Sequence, residues 1–507
     1  MPQVASAHEA FWDFVSLMPE STHMLMWVMS DRGIPRSYSM MEGFGVHTFR
    51  LVNEAGKSVF CRFHWNPKAG THSLVWDEAV KISGADPDFH RRDLWDRIEA
   101  GMYPEWKLGL QIFTEEQADQ FSFGVLDATK LIPQKLVPIT PVGRMVLNRN
   151  PDNFFAETEQ VAFCTAHVVP GIDFSNDPLL AGRIQSHVDT QISRLGGANF
   201  HEIPINAPVA QAHNNQRDGM HRQAIHQGRV SYEPSSLAGG CPFQAGSAQG
   251  FVTIPARQAA DDQHSKVRGK PEKFADHYTQ ATLFFDSQTP VEQADIAAAF
   301  RFELSKLTVP ALRERMVSSL RNVFEDLARQ VAGGLGISLM PPARPRALAE
   351  PSKPEITRSA GLSLMARPGD RSIAGRKIAV LIAPGVVADG LTKLHAALLA
   401  KGAVPHWVAS RLGAIATAEG GELQADASLE NEPGFLFDAL VLPNGVEAVK
   451  ALARDAHTMA FIKDQYRHCE SILVFGTSRA LLGQAGVPEQ LAGGGAPLTL
   501  DWWSLRR

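Results

Sequence analysis

The apolar residues keep two different rhythms along this chain, and the change between them falls late. In residues 46–65, VHTFRLVNEAGKSVFCRFHW, apolar and polar positions alternate in two runs around Asn53-Glu54-Ala55-Gly56. That pattern predicts a β-hairpin. On its second strand Val59, Cys61, Phe63 and Trp65 share one face, and Phe60, Arg62 and His64 the other. Residues 86–101 run from Asp86-Pro87 to Gly101 with helix start and stop signals, and residues 106–114, WKLGLQIFT, return to strand. Residues 200–300 are rich in Gly, Pro, Asn, Gln and His with weak periodicity, and read as long ordered loops. Amphipathic helices are expected over 293–336.

The composition then breaks. Residues 338–361, SLMPPARPRALAEPSKPEITRSAG, are rich in Pro, Ala and Ser, which marks an extended linker. Beyond it, apolar runs at 376–384, 404–410, 437–445 and 471–476 alternate with helical segments such as 391–402. This predicts a doubly wound α/β domain with a mostly parallel sheet. No Gly-x-Gly-x-x-Gly follows its first strand, so the dinucleotide fingerprint is absent.

Charge and cysteine usage narrow the function classes. A net charge of −5 gives no global attraction to nucleic acid or an anionic membrane, so neither is expected as a partner. Cys61, Cys164, Cys241 and Cys469 are scattered and form no Cys-x-x-Cys pair, which argues against zinc and disulfide frameworks and fits a reducing, cytoplasmic compartment. The opening residues MPQVASAHEAFWDF show no basic segment followed by an apolar core, so no signal peptide is expected.

One helix carries the candidate chemistry. In residues 176–197, NDPLLAGRIQSHVDTQISRLGG, Asn176 or Asp177 can cap the start, Pro178 suits the first turn, and Gly196-Gly197 can end it. Arg183 and His187 are one turn apart, and Arg194 lies near three whole turns beyond Arg183, so all three share a face. That stripe reads either as a solvated basic face or as a ligand site.

At this point long motifs decide between the readings. MSDRGIPRSYSMMEGFGVHTFRLVN (29–53), FCRFHW (60–65), VLNRNPDNFFAETEQVAF (146–163), HVVPGIDFSNDPLLAGR (167–183) and RLGGANFHEIPIN (194–206) resemble the haem catalase family, and the domain after residue 375 resembles its large-subunit branch. The resemblance implies an α+β architecture. A catalase-like antiparallel β-barrel and wrapping loop would occupy residues 1–290, a helical domain 291–337 and a linker 338–375. A flavodoxin-like domain, similar to class I amidotransferases, would fill 376–507. It also implies haem of b or d type, hydrogen peroxide as substrate and a homotetramer. Under the haem the family places a tyrosine whose phenolate binds iron. Here the matching run is Arg183-Ile184-Gln185-Ser186-His187. The resemblance therefore makes His187 the proximal ligand, Arg183 its hydrogen-bonding partner and Arg194 a partner of a haem propionate. Asp177 and His64 become the polar groups behind Arg183. Imidazole is a proximal ligand in other haem proteins, and a nearby guanidinium holds it neutral, as a ligand must be. Drift at an abandoned position is the other reading of His187.

Three further expectations follow. Family chains begin upstream of this Met1, in a segment carrying the distal histidine and asparagine. No catalytic residue is therefore named, and slow turnover by the chain alone is expected, with a loss on the order of 10²–10⁴ from missing acid–base catalysis. The alternative function is a catalase-like remnant that binds haem or assembles with an intact subunit. In the C-terminal domain the turn matching an amidotransferase nucleophile elbow is Phe475-Gly476-Thr477-Ser478, with Cys469 before the strand, so a non-catalytic domain is expected. Cys164 reads as a small buried hydrophobe, and the polar cluster at 214–222, NNQRDGMHR, as part of the wrapping loop.

Overall fold

The computed structural model describes residues 8–209, 271–348, 350 and 352–488, with positions 225, 230 and 237. The 214–222 cluster and Cys241 lie outside these residues.

The predicted hairpin forms. Strand β1 (Gly43–Phe44) is followed by β2 (Phe49–Val52) and β3 (Ser58–Pro67), and Gly56, at φ 75°, supplies the left-handed turn residue between β2 and β3. With β4 (Glu105–Phe113), β5 (Thr140–Val146) and β6 (Ile172–Phe174) they make an antiparallel sheet in the order β5-β4-β3-β2-β6, and β1 pairs with the far end of β3. The inner face of β3 is polar as well as apolar: Phe60, Arg62 and His64 are all buried.

The helical part begins earlier than its sequence suggested. Thr279–Ser287 is a helix within the stretch read as loop, and the second, expected from residue 293, starts at Pro290. Thr289 caps the second reciprocally with Glu292, and Pro290 opens it. These two pack with Pro310–Leu320 and Glu325–Gly334 around Phe284, Phe300, Leu304, Val317 and Leu327, and the N-terminal helices add Trp12, Met26 and Trp27 to the same core.

The last part is the predicted parallel sheet. Strands β7 (Lys377–Leu381), β8 (Val404–Ala409), β11 (Ala427–Ser428), β12 (Ala439–Leu442) and β13 (Ser471–Val474) lie in the order β11-β8-β7-β12-β13, and a hairpin of β9 (Gly413–Ala416) and β10 (Glu422–Ala425) is added. Its centre is wholly apolar: Val380, Leu381, Leu440 and Leu442 are sealed from solvent. Leu74, Ile82 and Phe89, from far upstream, belong to this same core.

A buried ionic seam joins the stretch before β1 to the edge of the parallel sheet. Arg36 donates from Nε and Nη2 to the two Asp438 oxygens, both at 2.6 Å, and Arg376 Nη1 reaches Asp438 Oδ1 at 2.9 Å. Burial pushes the Asp438 carboxyl up, but Arg36 and Arg376 outweigh it and hold it at about 2. Burial raises Glu78 to about 7 and Glu470 to about 8 in the same neighbourhood.

Candidate functional site

The arginine–histidine helix runs Pro178–Leu195. Asp177 caps it, accepting from Leu179 N at 2.9 Å and Leu180 N at 3.0 Å, and Gly196 ends it at φ 76°. The sheet aims its N-terminus. Phe49 pairs with Phe174 and Leu51 with Ile172, antiparallel. Continuing that register sets Thr48 opposite Ser175 and His47 opposite Asn176. The cap therefore arrives beside His47.

This builds a chain of contacts. Arg183 Nη1 meets His47 Nε2 at 2.8 Å, and His47 Nδ1 meets Asp177 Oδ2 at 2.8 Å. A guanidinium can only donate, so His47 Nε2 accepts and the ring donates its Nδ1–H to Asp177. Burial raises the Asp177 carboxyl, but the His47 hydrogen bond and the two capping N–H groups overcome it, and the net direction is down. Arg183 also reaches forward, donating from Nε to His187 Nε2 at 3.4 Å. His187 Nδ1 is buried and has no hydrogen-bond partner. It is the kind of orphaned polar atom that a bound group satisfies.

Two of the expected roles move. His64 is not behind Arg183: its Nε2 meets Gln111 Oε1 at 2.8 Å, and burial lowers its pKa to about 4. His47 stands in that place, in the bend between β1 and β2 and not within a strand as its sequence suggested. Alternation put His64 on the buried face of β3, but only the β2–β6 register shows which histidine meets the helix. Arg194 is exposed and is committed to protein acceptors: Glu159 O, Val161 O and Gln191 Oε1. It straps the helix to the 159–161 segment. Cys164 is half-buried and free.

Other candidate sites are already filled by protein. Asp77, Asp464 and His468 lie close enough to hold a cation, but Lys81 bonds both aspartates, at 2.9 and 2.6 Å, and Arg467 bonds Asp77. At the elbow after β13, Gly476 lies against Asn444, whose Oδ1 accepts from Thr477 N and Oγ1. Cys469 is exposed, at φ 62°, before the strand. An apolar cavity of about 500 Å³, lined by Trp27, Met40, Phe44 and Leu364 among others, lies apart from the arginine–histidine helix.

Comparison with known proteins agrees along the chain. Residues 2–239 match the catalase model, 271–335 the catalase-related immune-responsive model, and 376–497 the DJ-1/PfpI family. Catalase HPII of Pseudomonas putida is 50% identical over 475 residues, covering 94% of this chain and 66% of that protein. Catalase HPII of Pseudomonas aeruginosa is 50% identical over 492 residues, with 96% and 68% covered. Catalase-2 of Bacillus subtilis is 48% identical over 472 residues, with 93% and 66% covered. The chain thus spans about two thirds of the length of the curated relatives it matches.

Proposed function

The chain belongs to the catalase family, and from that premise we propose that it decomposes hydrogen peroxide to water and oxygen with haem as cofactor. The observation that carries the proposal is the contact chain Asp177–His47–Arg183–His187, ending in a buried ring nitrogen without a partner. When bound, haem supplies the redox chemistry that peroxide needs. The residues fit such a group. Haem bound here would take His187 as its protein ligand, with Arg183, at 3.4 Å from Nε2, fixing the orientation of the ring. Asp177 and His47 orient Arg183 in turn. His187 is thus the proximal ligand, with Arg183 beside it and Asp177 and His47 behind. Arg194 braces the helix from the 159–161 side.

The finer points of the reading are these. The haem is of b or d type, the assembly is a homotetramer, and the compartment is the cytoplasm. No described helix is long and apolar enough to cross a membrane, and Cys61, Cys164 and Cys469 are unpaired. The domain division is the one the sequence suggested, with the helical part starting at the Thr279–Ser287 helix. A catalase-like remnant without fast turnover is not favoured, since relatives at 48–50% identity carry the name catalase.

The test is an absorbance spectrum of the purified protein together with oxygen evolution from peroxide. A haem band and oxygen release above that of free haem are expected. His187→Ala should lose haem or change the spectrum sharply, and His187→Tyr should move it toward a phenolate-ligated form. Unchanged haem content and spectrum in His187→Ala would remove His187 as ligand. Oxygen release no greater than that of free haem would overturn the catalase reading.

A further inference from the structure

Arg62 is fully buried on β3, and nothing in the contact chain above accounts for it. Its three hydrogen-bond acceptors are all uncharged. Nε donates to Thr48 Oγ1 at 3.0 Å, Nη1 to Lys130 O at 2.6 Å, and Nη2 to Val125 O. Burying a cation on dipoles alone is costly, and here burial draws the guanidinium down to about 10. The carboxylates whose charges reach it are Asp177 and Asp127. Asp127 already has a cation in contact, Lys130 at 3.0 Å. Asp177 has none: its contacts are the neutral His47 ring and backbone N–H groups.

The link is mechanical as well as electrostatic. Thr48, gripped by Arg62, is the residue next to His47, and its hydroxyl is pinned in turn by donating to Val125 O at 2.6 Å. Thr48 O accepts from Ser175 Oγ, and Ser175 Oγ accepts from Asp177 N at 3.3 Å. One buried guanidinium therefore holds both segments that meet at the His47–Asp177 hydrogen bond.

We propose that Arg62 is a positioning residue of this site: through Thr48 it locks the His47 bend against the helix N-terminus, so that His47 keeps its proton on Nδ1 and its Nε2 turned to Arg183. The proposal rests on the catalase reading for its catalytic meaning, but the hydrogen-bond geometry it concerns belongs to the chain itself. A neutral residue of similar length at position 62 removes the charge and the grip on Thr48 together. A lysine keeps the charge and can reach at least one of the same acceptors.

The experiment is nitrogen NMR of the full chain labelled at histidine, with His47 assigned by its loss in His47→Gln. Wild type should show a single neutral His47 tautomer protonated at Nδ1. Arg62→Met should convert that signal to an exchanging mixture, and Arg62→Lys should restore most of it. If Arg62→Met lowers the melting temperature but leaves the His47 signals unchanged, Arg62 serves packing alone and the proposal fails. It fails equally if Arg62→Lys restores nothing. Should Arg62→Met not accumulate as folded protein, Thr48→Val decides. It removes the Nε acceptor and leaves the charge, so a smaller shift of the same sense is expected, and an unchanged signal overturns the proposal. Haem titration of wild type, followed by absorbance, separates the two readings, because failure to bind haem would overturn the catalase reading while leaving the His47 result to stand.

Discussion

The two sheets of this molecule solve burial in opposite ways. The parallel sheet is dry: Ile378, Ala379, Val380 and Leu381 of β7 and Leu440, Val441 and Leu442 of β12 are buried, and none carries a side-chain donor or acceptor. The antiparallel sheet buries Arg50, Arg62, His64 and Gln111, with Thr48, His47 and Asp177 at its margin. An apolar core is the cheaper solution, because every buried polar group must find a partner or lose on the order of 1–3 kcal/mol. A sheet that nonetheless keeps so many is holding groups for their chemistry. The elbow beside the dry sheet carries no thiol, and the helix aimed by the wet one carries the contact chain Asp177–His47–Arg183–His187. Where the polar groups are buried locates the function better than the fold does.

The comparison can be broken most forcefully from the dry side. Leu440→Ala should cost about 2–5 kcal/mol of stability through the cavity it leaves. It should leave haem content per folded molecule unchanged, read by urea denaturation beside absorbance. A parallel loss of haem would show that the two sheets do not act separately. On the wet side, Asp177→Ala removes a helix cap worth about 0.5–2 kcal/mol and leaves His47 Nδ1–H unpaired. The unpaired donor adds about 1–3 kcal/mol to that loss, so the destabilisation approaches that of Leu440→Ala, but here the haem spectrum should change. Asp177→Asn, which can still cap, should recover much of the stability and less of the spectrum.

The ionic seam gives a pH test. Glu78 and Glu470 have folded-state values raised by burial to about 7 and about 8, above the ordinary carboxylate value of 4.5. In the folded protein they hold protons that the unfolded chain has already lost. Their stabilising contribution is therefore full below about pH 4.5 and disappears as pH rises through 7 and 8. The urea midpoint should fall between about pH 5 and about pH 9, and Glu470→Gln should flatten that fall. A midpoint that rises over this range would refute the assignment. The smallest effect concerns Cys469. Iodoacetamide should label it no faster than an ordinary exposed thiol, and a markedly faster rate would reopen a catalytic role for the dry sheet.

The sequence made the helix of residues 178–195 legible almost residue by residue, because its cap, first-turn proline and terminal glycine are local signals. The parallel strands were legible for a similar reason: they are continuous apolar runs between helices. The partner of Arg183 was not. Alternation could say that His64 faces inward, but His47 sits in a bend and meets the helix only because β2 pairs with β6 across more than a hundred intervening residues. The contacts of Arg194 were illegible for a different reason. Its acceptors at Glu159 and Val161 are backbone carbonyls, which every residue has and which leave no mark in a sequence. The helix at 279–287 was hidden by the polar stretch before it, whereas the next was expected from 293 and starts just upstream, at the capping box of Thr289 and Glu292.

The core of the parallel sheet does not end where that sheet's stretch of sequence ends. Leu74, Ile82 and Phe89 are built into it from the other side of the chain, and Arg36 closes on Asp438 beside them. The C-terminal region is thus not a detachable module. Cut free near residue 375, it would present an unfilled apolar socket and a buried carboxylate stripped of its Arg36 partner, while the remaining piece would expose Leu74, Ile82 and Phe89 to water. Both halves would be sticky. That shared packing ties the C-terminal region to its neighbour, so its loss would penalise the part that holds the proposed haem site.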